Sequence, residues 1–229
     1  MNLDGNFPTY EKQELIKTGV DAIKSAVDAG TIGKTPRRQV FTANGTWTAP
    51  AGVTKIFVTG GGAGGGGGYV GNESVAGTGG ITSFGSLFSL TGGGGGTGSS
   101  NILNGQAGVA GGSGGQSGGY LVHNATTGLQ TLGNGGSVAL FKGGSSSTDG
   151  TISRKNYKNG GYCCGGGAAG LNGGAGAGGS GDFVVNYPLT VSPGTSYPIV
   201  IGLGGAGVSA STSSAGDGGN GILIVEWWE

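Results

Sequence analysis

The feature that most constrains this chain is glycine, which supplies 61 of its 229 residues and is grouped in runs such as 64–68 and 92–96. A glycine content this high without a strict period is typical of disordered, low-complexity segments. Two observations favour order instead. Charged residues amount to only 10% and the formal net charge is zero, so the self-repulsion that keeps disordered chains open is missing. The glycine runs are also bracketed by segments with the pattern of β-strands, which hold both of their ends.

An ordered glycine-rich segment has to satisfy its backbone hydrogen bonds laterally. The runs follow no Gly-X-Y period, so a collagen triple helix is excluded. A polyproline-II-like helix has three residues per turn and no internal hydrogen bonds, so each buried N–H and C=O needs a partner on a neighbouring segment. Glycine lets backbones approach closely on all sides, although ordering it costs much conformational entropy. We therefore predict a bundle of polyglycine-II helices, in which lateral hydrogen bonds replace a side-chain core.

Strand-like segments lie at both ends of the glycine-rich region. Residues 39–60 are rich in β-branched and aromatic residues and contain Asn44-Gly45, a dipeptide typical of a tight hairpin turn. Residues 187–201 and 221–229 have the same character. These segments supply most of the aliphatic and tryptophan residues, so they are the predicted core. The predicted fold class of residues 39–229 is mainly β, with a short β-scaffold from both ends of the domain and a polyglycine-II helix bundle between them.

Residues 1–38 form a separate predicted segment, an amphipathic helix from Tyr10 to Ala29 followed by a short linker. The apolar stripe of this helix consists of residues spaced 4, 3 and 4 apart: Ile16, Val20, Ile23 and Val27. An isolated helix of about 20 residues is marginal in water. We therefore expect the stripe to dock on its own domain, on other copies of the chain, or on a partner protein.

Nothing in the sequence indicates catalysis or a cofactor. His123 is the only histidine and the 11 carboxylates are spread thinly, so no Ser/His/Asp set, pair of acids or metal-ligand cluster is evident. Residues 55–65 match the strand and glycine-rich turn at the start of a dinucleotide-binding fold, but more glycine follows where that fold requires a helix. Residues 33–35 end like a phosphate-binding loop, but Asp28 stands where that motif requires glycine. We expect no enzyme activity, no cofactor and no bound metal.

The distribution of charge and of apolar residues argues against further classes of protein. The 11 basic residues are scattered, so no basic face for nucleic acid is evident. The first residues lack the pattern of a secretory signal, and no apolar run is long enough for insertion into a membrane. The adjacent Cys163 and Cys164 are interpreted as free thiols, because a bridge between neighbours closes a strained ring and a metal site needs more ligands. The protein therefore folds in a reducing compartment or does not depend on disulfides.

Insertions between the glycine runs carry nearly all the Asn, Tyr, Lys, Arg and His of the middle region. A rigid bundle that displays polar and aromatic loops is a recognition architecture. The alternative is that the insertions are solvated connectors. The insertions span residues 69–75, 101–104, 120–132, 138–162 and 208–215, and 138–162 is the largest. The candidate contact residues are His123, Asn124, Lys142, Asp149, Arg154, Lys155, Tyr157, Lys158 and Tyr162.

Residues 41–53, which contain Trp47 and a Pro50-Ala51-Gly52 turn before a strand and a glycine run, resemble the glycine-rich domain of tailed-phage tail-fibre and receptor-binding proteins. The C-terminal part of the sequence agrees at 191–194, 199–207 and 218–227, so the resemblance covers about residues 39–228. The middle is similar in style to the tip adhesins of T-even-type long tail fibres. In those adhesins, polyglycine-II helices carry hypervariable loops.

The resemblance implies a receptor-binding protein at the tail or fibre tip of a virion, made in the host cytoplasm. Its loops would bind an outer-membrane protein or a glycan on the bacterial surface. The N-terminal helix lies outside the resemblance. By its position it would attach the domain to a tail-fibre or other virion protein, or assemble copies of the chain, for example as a homotrimer. The alternative is a virion structural or decoration protein with the same fold and no receptor role.

Overall fold

A computed structural model describes residues 10–28, 33–69, 74–99, 106–124, 129–131, 133–146, 159–169, 173–209 and 214–229. The chain divides into two units. The first consists of Met1–Arg37 together with Trp228–Glu229, and the second is Arg38–Trp227.

The first unit contains the helix α1, Tyr10–Asp28, which confirms the prediction of one helix near the N-terminus. The side chains of its apolar stripe are 49–60% exposed: Ile16, Val20, Ile23 and Val27. Within the same unit, Thr35 and Glu229 exchange two backbone hydrogen bonds, and Arg37 Nε lies 2.8 Å from Glu229 Oε1. The stripe is therefore uncovered, whereas the linker after the helix is tied to the last residue of the chain.

The rest of the described chain is mainly β, as predicted. Its strands are β1 (Pro36–Phe41), β2 (Gly45–Thr48), β3 (Lys55–Gly61), β4 (Thr82–Phe84), β5 (Phe88–Leu90), β6 (Gly98–Ser99), β7 (Tyr120–Asn124), β8 (Leu129–Thr131), β9 (Gly173–Gly176), β10 (Phe183–Thr190), β11 (Ser196–Val200) and β12 (Ile222–Trp228). They form three four-stranded sheets with the orders β1-β12-β3-β10, β2-β11-β4-β5 and β6-β9-β7-β8.

The first two sheets share the largest hydrophobic core and together form what we call the scaffold. Trp47 of β2 lies at its centre, with ring centroids 5.7 Å from Phe84 and 5.5 Å from Trp227. The other buried core residues are Phe41, Ala49, Val53, Ile56, Val58, Phe84, Val191, Ile199, Ile201, Leu223 and Val225. Burial of these apolar side chains, which come from both ends of the glycine-rich region, is the main stabilising contribution in the scaffold.

The glycine-rich segments between the scaffold strands bond to one another with a period of three residues. Segment 62–68 donates its backbone N–H groups to three neighbours in rotation, at N···O distances of 2.8–3.0 Å. The first neighbour accepts through Asp182, Gly179 and Gly176, from Gly62, Gly65 and Gly68 respectively. The second accepts through Gly80 and Gly77, from Ala63 and Gly66. The third accepts through Gly219 and Gly216, from Gly64 and Gly67. The acceptor number falls by three as the donor number rises by three, so these neighbours run antiparallel to segment 62–68.

The carbonyl groups of the same segment accept from three further neighbours. The first of these neighbours donates from Gly93 and Gly96, to Ala63 and Gly66 respectively. The second donates from Gly205 and Val208, to Gly64 and Gly67. The third donates from Gly166 and Ala169, to Gly65 and Gly68. Here both numbers rise together, so these neighbours run parallel to segment 62–68. Segment 62–68 is therefore buried among six neighbours, and hydrogen bonds in six directions satisfy its backbone.

Close approach of the backbones makes glycine necessary in segment 62–68. A Cβ atom added at Gly64, Gly65 or Gly66 would lie closer than 3.0 Å to a carbonyl oxygen of a neighbouring segment. Because the obstructing atom belongs to backbone that is itself hydrogen-bonded, no rotamer change relieves the overlap. Alanine occurs only where space allows, as in the small buried cluster of Ala168, Ala175 and Ala177.

Side-chain oxygens continue the period of three at the side of the bundle. Asn220 Oδ1 accepts the Gly204 N–H at 2.9 Å, and Asp217 Oδ1 accepts the Gly207 N–H at 2.8 Å. Donors and acceptors are each three residues apart, so the two side chains present oxygens where another segment would present carbonyls. The N–H groups of Gly204 and Gly207 are thereby satisfied without a further neighbour.

Candidate recognition surface

The bundle of glycine-rich segments has two distinct ends. Gly61 precedes segment 62–68 and pairs with Phe183 of β10 and Ile222 of β12 in the first scaffold sheet. We call this the scaffold end. On the other side of the segment, Tyr69 forms a bridge with Ala169. We call this the distal end.

Segments parallel to 62–68 reach the distal end, and antiparallel segments start from it. Those that reach it end at Tyr69, Ser99, Ala169 and Ser209, and those that leave it start at Ser74, Gln106, Gly173 and Ser214. The intervening residues 70–73, 100–105, 170–172 and 210–213 lie outside the described residues. Four segments that run toward the distal end and four that run away from it therefore have their ends there.

The hairpin of β7 and β8 belongs to the same end. In β7, His123 lies opposite Gly173 of β9, and Asn124 lies opposite Leu129 of β8. Because Gly173 starts a segment at the distal end, the backbone of the candidate contact residues His123 and Asn124 lies there too. Their side chains and residues 125–128 lie outside the described part of the structure.

The flanks of the largest insertion lie close to the distal end. The Ser146 N–H donates to Asn134 Oδ1 at 3.1 Å, and the Asp217 N–H donates to Asn159 Oδ1 at 2.9 Å. Asp217 follows Gly216, the residue that accepts the N–H of Gly67. The structure therefore holds both flanks of residues 147–158. Five candidate residues lie outside the described residues: Asp149, Arg154, Lys155, Tyr157 and Lys158.

Lys142 and Tyr162 come together, but at the scaffold end. The Gly161 N–H donates to the Lys142 carbonyl at 3.1 Å, and the Tyr162 ring lies 5.6 Å from that of Phe141. Phe141 in turn lies 6.4 Å from Phe183 of β10. Lys142 and Tyr162 are exposed, but they are separated from the distal end by the length of the bundle.

The alternation of segment direction explains this separation. Successive glycine segments run up and down the bundle, so every second interruption falls at the same end. Residues 138–142 and the turn at 162–164 are interruptions at the scaffold end, whereas the flanks of residues 147–158 lie close to the distal end. By the pattern of the sequence alone, residues 138–162 form one insertion. Counting interruptions in alternation is the signal that would have separated Lys142 and Tyr162 from residues 147–158.

The two cysteines are free and buried, which confirms their interpretation as free thiols. They belong to a second apolar cluster at the scaffold end, together with Val138, Phe183 and Ile222. Burial raises the pKa of the Cys163 thiol from 9.0 to about 12 and that of Cys164 to about 11. Both groups are therefore protonated at neutral pH and are poor nucleophiles.

The described residues contain no group of three His, Cys, Asp or Glu side chains that could hold a metal ion. Among the same residues, no helix combines the length and the apolar character needed to cross a membrane.

No protein-family model matches the chain, and no curated protein is significantly similar to it.

Proposed function

We propose that this chain is a receptor-binding protein at the tail or fibre tip of a tailed phage, and that it recognises a bacterial surface through loops at the distal end. One observation carries the proposal: the described residues that flank 70–73, 100–105, 125–128, 170–172 and 210–213 all lie at the distal end of the bundle. Rigid segments that bring many connections together on one face are typical of recognition proteins.

The bundle acts in this proposal as a stiff support built of polyglycine-II helices. The period of three in the hydrogen bonds of segment 62–68 supports this assignment, because a helix with three residues per turn presents every third peptide group to the same neighbour. Six neighbours around one segment are what close packing of such helices requires. A core of this kind fixes the positions of the loops without large side chains.

The scaffold end is the side on which the domain attaches to the virion. The second unit begins at Arg38 in β1 and ends at Trp227 in β12, and β1 and β12 are neighbours in the first scaffold sheet. Both connections of this unit to the rest of the chain therefore leave from the scaffold and not from the distal end. In this proposal, α1 binds a tail-fibre or other virion protein.

Adhesion to cells tests the receptor role. The labelled full-length protein is mixed with a panel of bacterial strains, and adsorption of phage to the strain that binds it is then measured with and without excess protein. We expect saturable binding and competition with the phage. Protein that binds no strain and blocks no adsorption is instead a virion structural or decoration protein.

A pair of matched triple variants locates the contact surface. Replacing Lys155, Tyr157 and Lys158 by Ala should abolish adhesion without changing the melting temperature. The control replaces Lys55, Lys142 and Tyr162 by Ala, which removes the same residue types from the scaffold end and should leave adhesion intact. Adhesion that survives the first change excludes the largest insertion as the contact surface, and equal loss in both variants indicates non-specific charge attraction.

Treatment of the cells distinguishes the two receptor classes. Protease digestion of the cell surface should remove binding to an outer-membrane protein, whereas periodate oxidation should remove binding to a glycan. Loss of binding after only one treatment assigns the class.

A further inference from the structure

We infer that α1 docks on a helix of a different chain, whose apolar seam is flanked by acidic residues. The inference deepens the attachment role proposed above for α1 and names the chemistry of its partner. It does not depend on which loops bind the receptor.

The apolar face of α1 is a seam for another helix. Ile16, Val20, Ile23 and Val27 are exposed and alternate at spacings of 4 and 3, which are the d, a, d and a positions of two heptads. The seam is narrow and its residues are β-branched, as in helix–helix contacts. Water-exposed aliphatic side chains on a helix this short leave it marginally stable, so a partner that covers them stabilises the helix as it binds.

The charges next to the seam have one sign. Lys17 and Lys24 directly follow Ile16 and Ile23, so both occupy e positions on the same side of the seam. Both are exposed, and Lys24 also interacts with another group of this chain. Glu14 and Asp21 stand three residues before these lysines, at b positions, which lie away from the contact face. A partner helix therefore meets positive charge at the edge of the seam, and acidic residues complement it best.

A second copy of the chain fits this edge poorly in either orientation. In a parallel pair of α1 helices, Lys17 faces position 12 of the copy, which is also lysine. In an antiparallel pair, Lys17 faces Lys24 of the copy. Like charges across a helix contact are destabilising, so the charge pattern disfavours self-association and favours a different chain.

The other flank of the seam permits close approach. Gly19 occupies the g position, and a Cβ atom placed on it would have no atom within 4 Å. A glycine at this position brings no steric bulk to the edge of the seam. A side chain from the partner helix can therefore fill the space beside Val20.

Two synthetic helical peptides test the inference against the full-length protein. Both carry the same Ile/Val seam; one has Glu and the other Lys at all e and g positions. Fluorescence anisotropy measures binding at low and high salt. We expect the Glu peptide to bind about tenfold more tightly at low salt, with the difference shrinking as salt rises.

Two variants provide the controls. Lys17→Glu combined with Lys24→Glu should reverse the preference between the peptides, and Ile23→Asp should remove binding of both. Circular dichroism of the charge-reversed variant checks that the helix persists, and unchanged cell adhesion separates this result from failure of the receptor proposal.

Three outcomes overturn the inference. The first is equal affinity for the two peptides. The second is a stable homo-oligomer in light scattering that Ile23→Asp dissociates, which identifies a second copy as the occupant. The third is binding to vesicles that contain about 30% anionic lipid in preference to either peptide, which identifies a membrane surface as the partner of α1.

Discussion

At the scale of single residues, the bundle depends on the absence of side chains. Gly65 lies in the centre of segment 62–68, and a Cβ atom there would overlap the carbonyl of Gly94. The segments cannot separate without breaking the hydrogen bonds that form the core. A side chain at position 65 would therefore push the neighbouring hydrogen-bonded backbones apart.

Replacing Gly65 by Ala should therefore lower the free energy of unfolding by about 3 kcal/mol. Gly161→Ala is the matched control, because its added Cβ would have the Lys142 carbonyl oxygen as its nearest neighbour, at 3.2 Å. Urea denaturation measures both. Equal stability of the two variants would contradict the close-packed arrangement around segment 62–68.

The buried thiols predict how stability depends on pH in the alkaline range. In the unfolded chain they ionise near 9.0, whereas burial raises the folded pKa to about 12 for Cys163 and about 11 for Cys164. Above pH 9 the unfolded state therefore loses protons first, and stability falls as pH rises. The slope should be about 1.4 kcal/mol per pH unit for each thiol.

Urea denaturation at several pH values between 9 and 11 checks this slope. The double variant Cys163→Ala and Cys164→Ala removes both groups and serves as the control. A variant whose stability falls as steeply as that of the natural protein would show that other groups cause the pH dependence.

At the scale of elements, side-chain oxygens complete segments that lack a neighbour. Asn220→Ala leaves the Gly204 N–H without its acceptor and should cost about 1 kcal/mol. The Gly204 amide should then exchange with solvent at least about tenfold faster, which native-state hydrogen exchange by NMR measures. The amide of Gly64, whose acceptor is the backbone of Gly219, is the internal reference. Unchanged exchange at Gly204 would exclude this capping role.

The edge strand β10 shows how the scaffold avoids pairing with other chains. Its register shifts between Val184 and Tyr187, and Asn186 adopts φ 52° within this irregularity, with its N–H bonded to Thr59 Oγ1 at 3.0 Å. Pro188 further along the strand has no N–H to offer. A bulge and a proline interrupt the row of donors that another strand would need.

At the scale of the whole molecule, the second unit contains its own core. Deleting residues 1–30 should release a folded monomer whose melting temperature is within a few degrees of that of the full chain, because the buried cluster around Trp47 lies entirely in Arg38–Trp227. Size-exclusion chromatography with light scattering, together with thermal unfolding, measures the result. Aggregation of the truncated protein would show that the helix belongs to the core.

The alternation of segments also gives the second unit two different ends. Strands of the scaffold and turns such as 162–164 lie at one end of the bundle, and Tyr69, Ser99 and Ala169 lie at the other. The hydrogen bonds of the segments that end there are made within the bundle, so a change in the length of the sequence between two segments leaves them undisturbed. This separation of support from display is what the proposed function requires.

Sequence alone predicted the features that depend on local pattern. The 4-3-4 spacing from Ile16 to Val27 predicted the helix, and alternating β-branched and aromatic residues around Trp47 predicted strands at both ends of the domain. Adjacency in sequence was enough to interpret Cys163 and Cys164 as free thiols. Each of these follows from contacts or geometry within a few residues.

Only the tertiary structure decided which interruptions share an end. Glycine runs carry no side chains that distinguish one neighbour from another, so the sequence cannot show that segment 62–68 bonds to six others or in which direction each runs. Lys142 and Tyr162 therefore were grouped with residues 149–158, although the structure places them at the scaffold end. The glycine content determined that backbones could pack this closely, and the lateral hydrogen bonds, made between residues far apart in the chain, decided where every connection emerges.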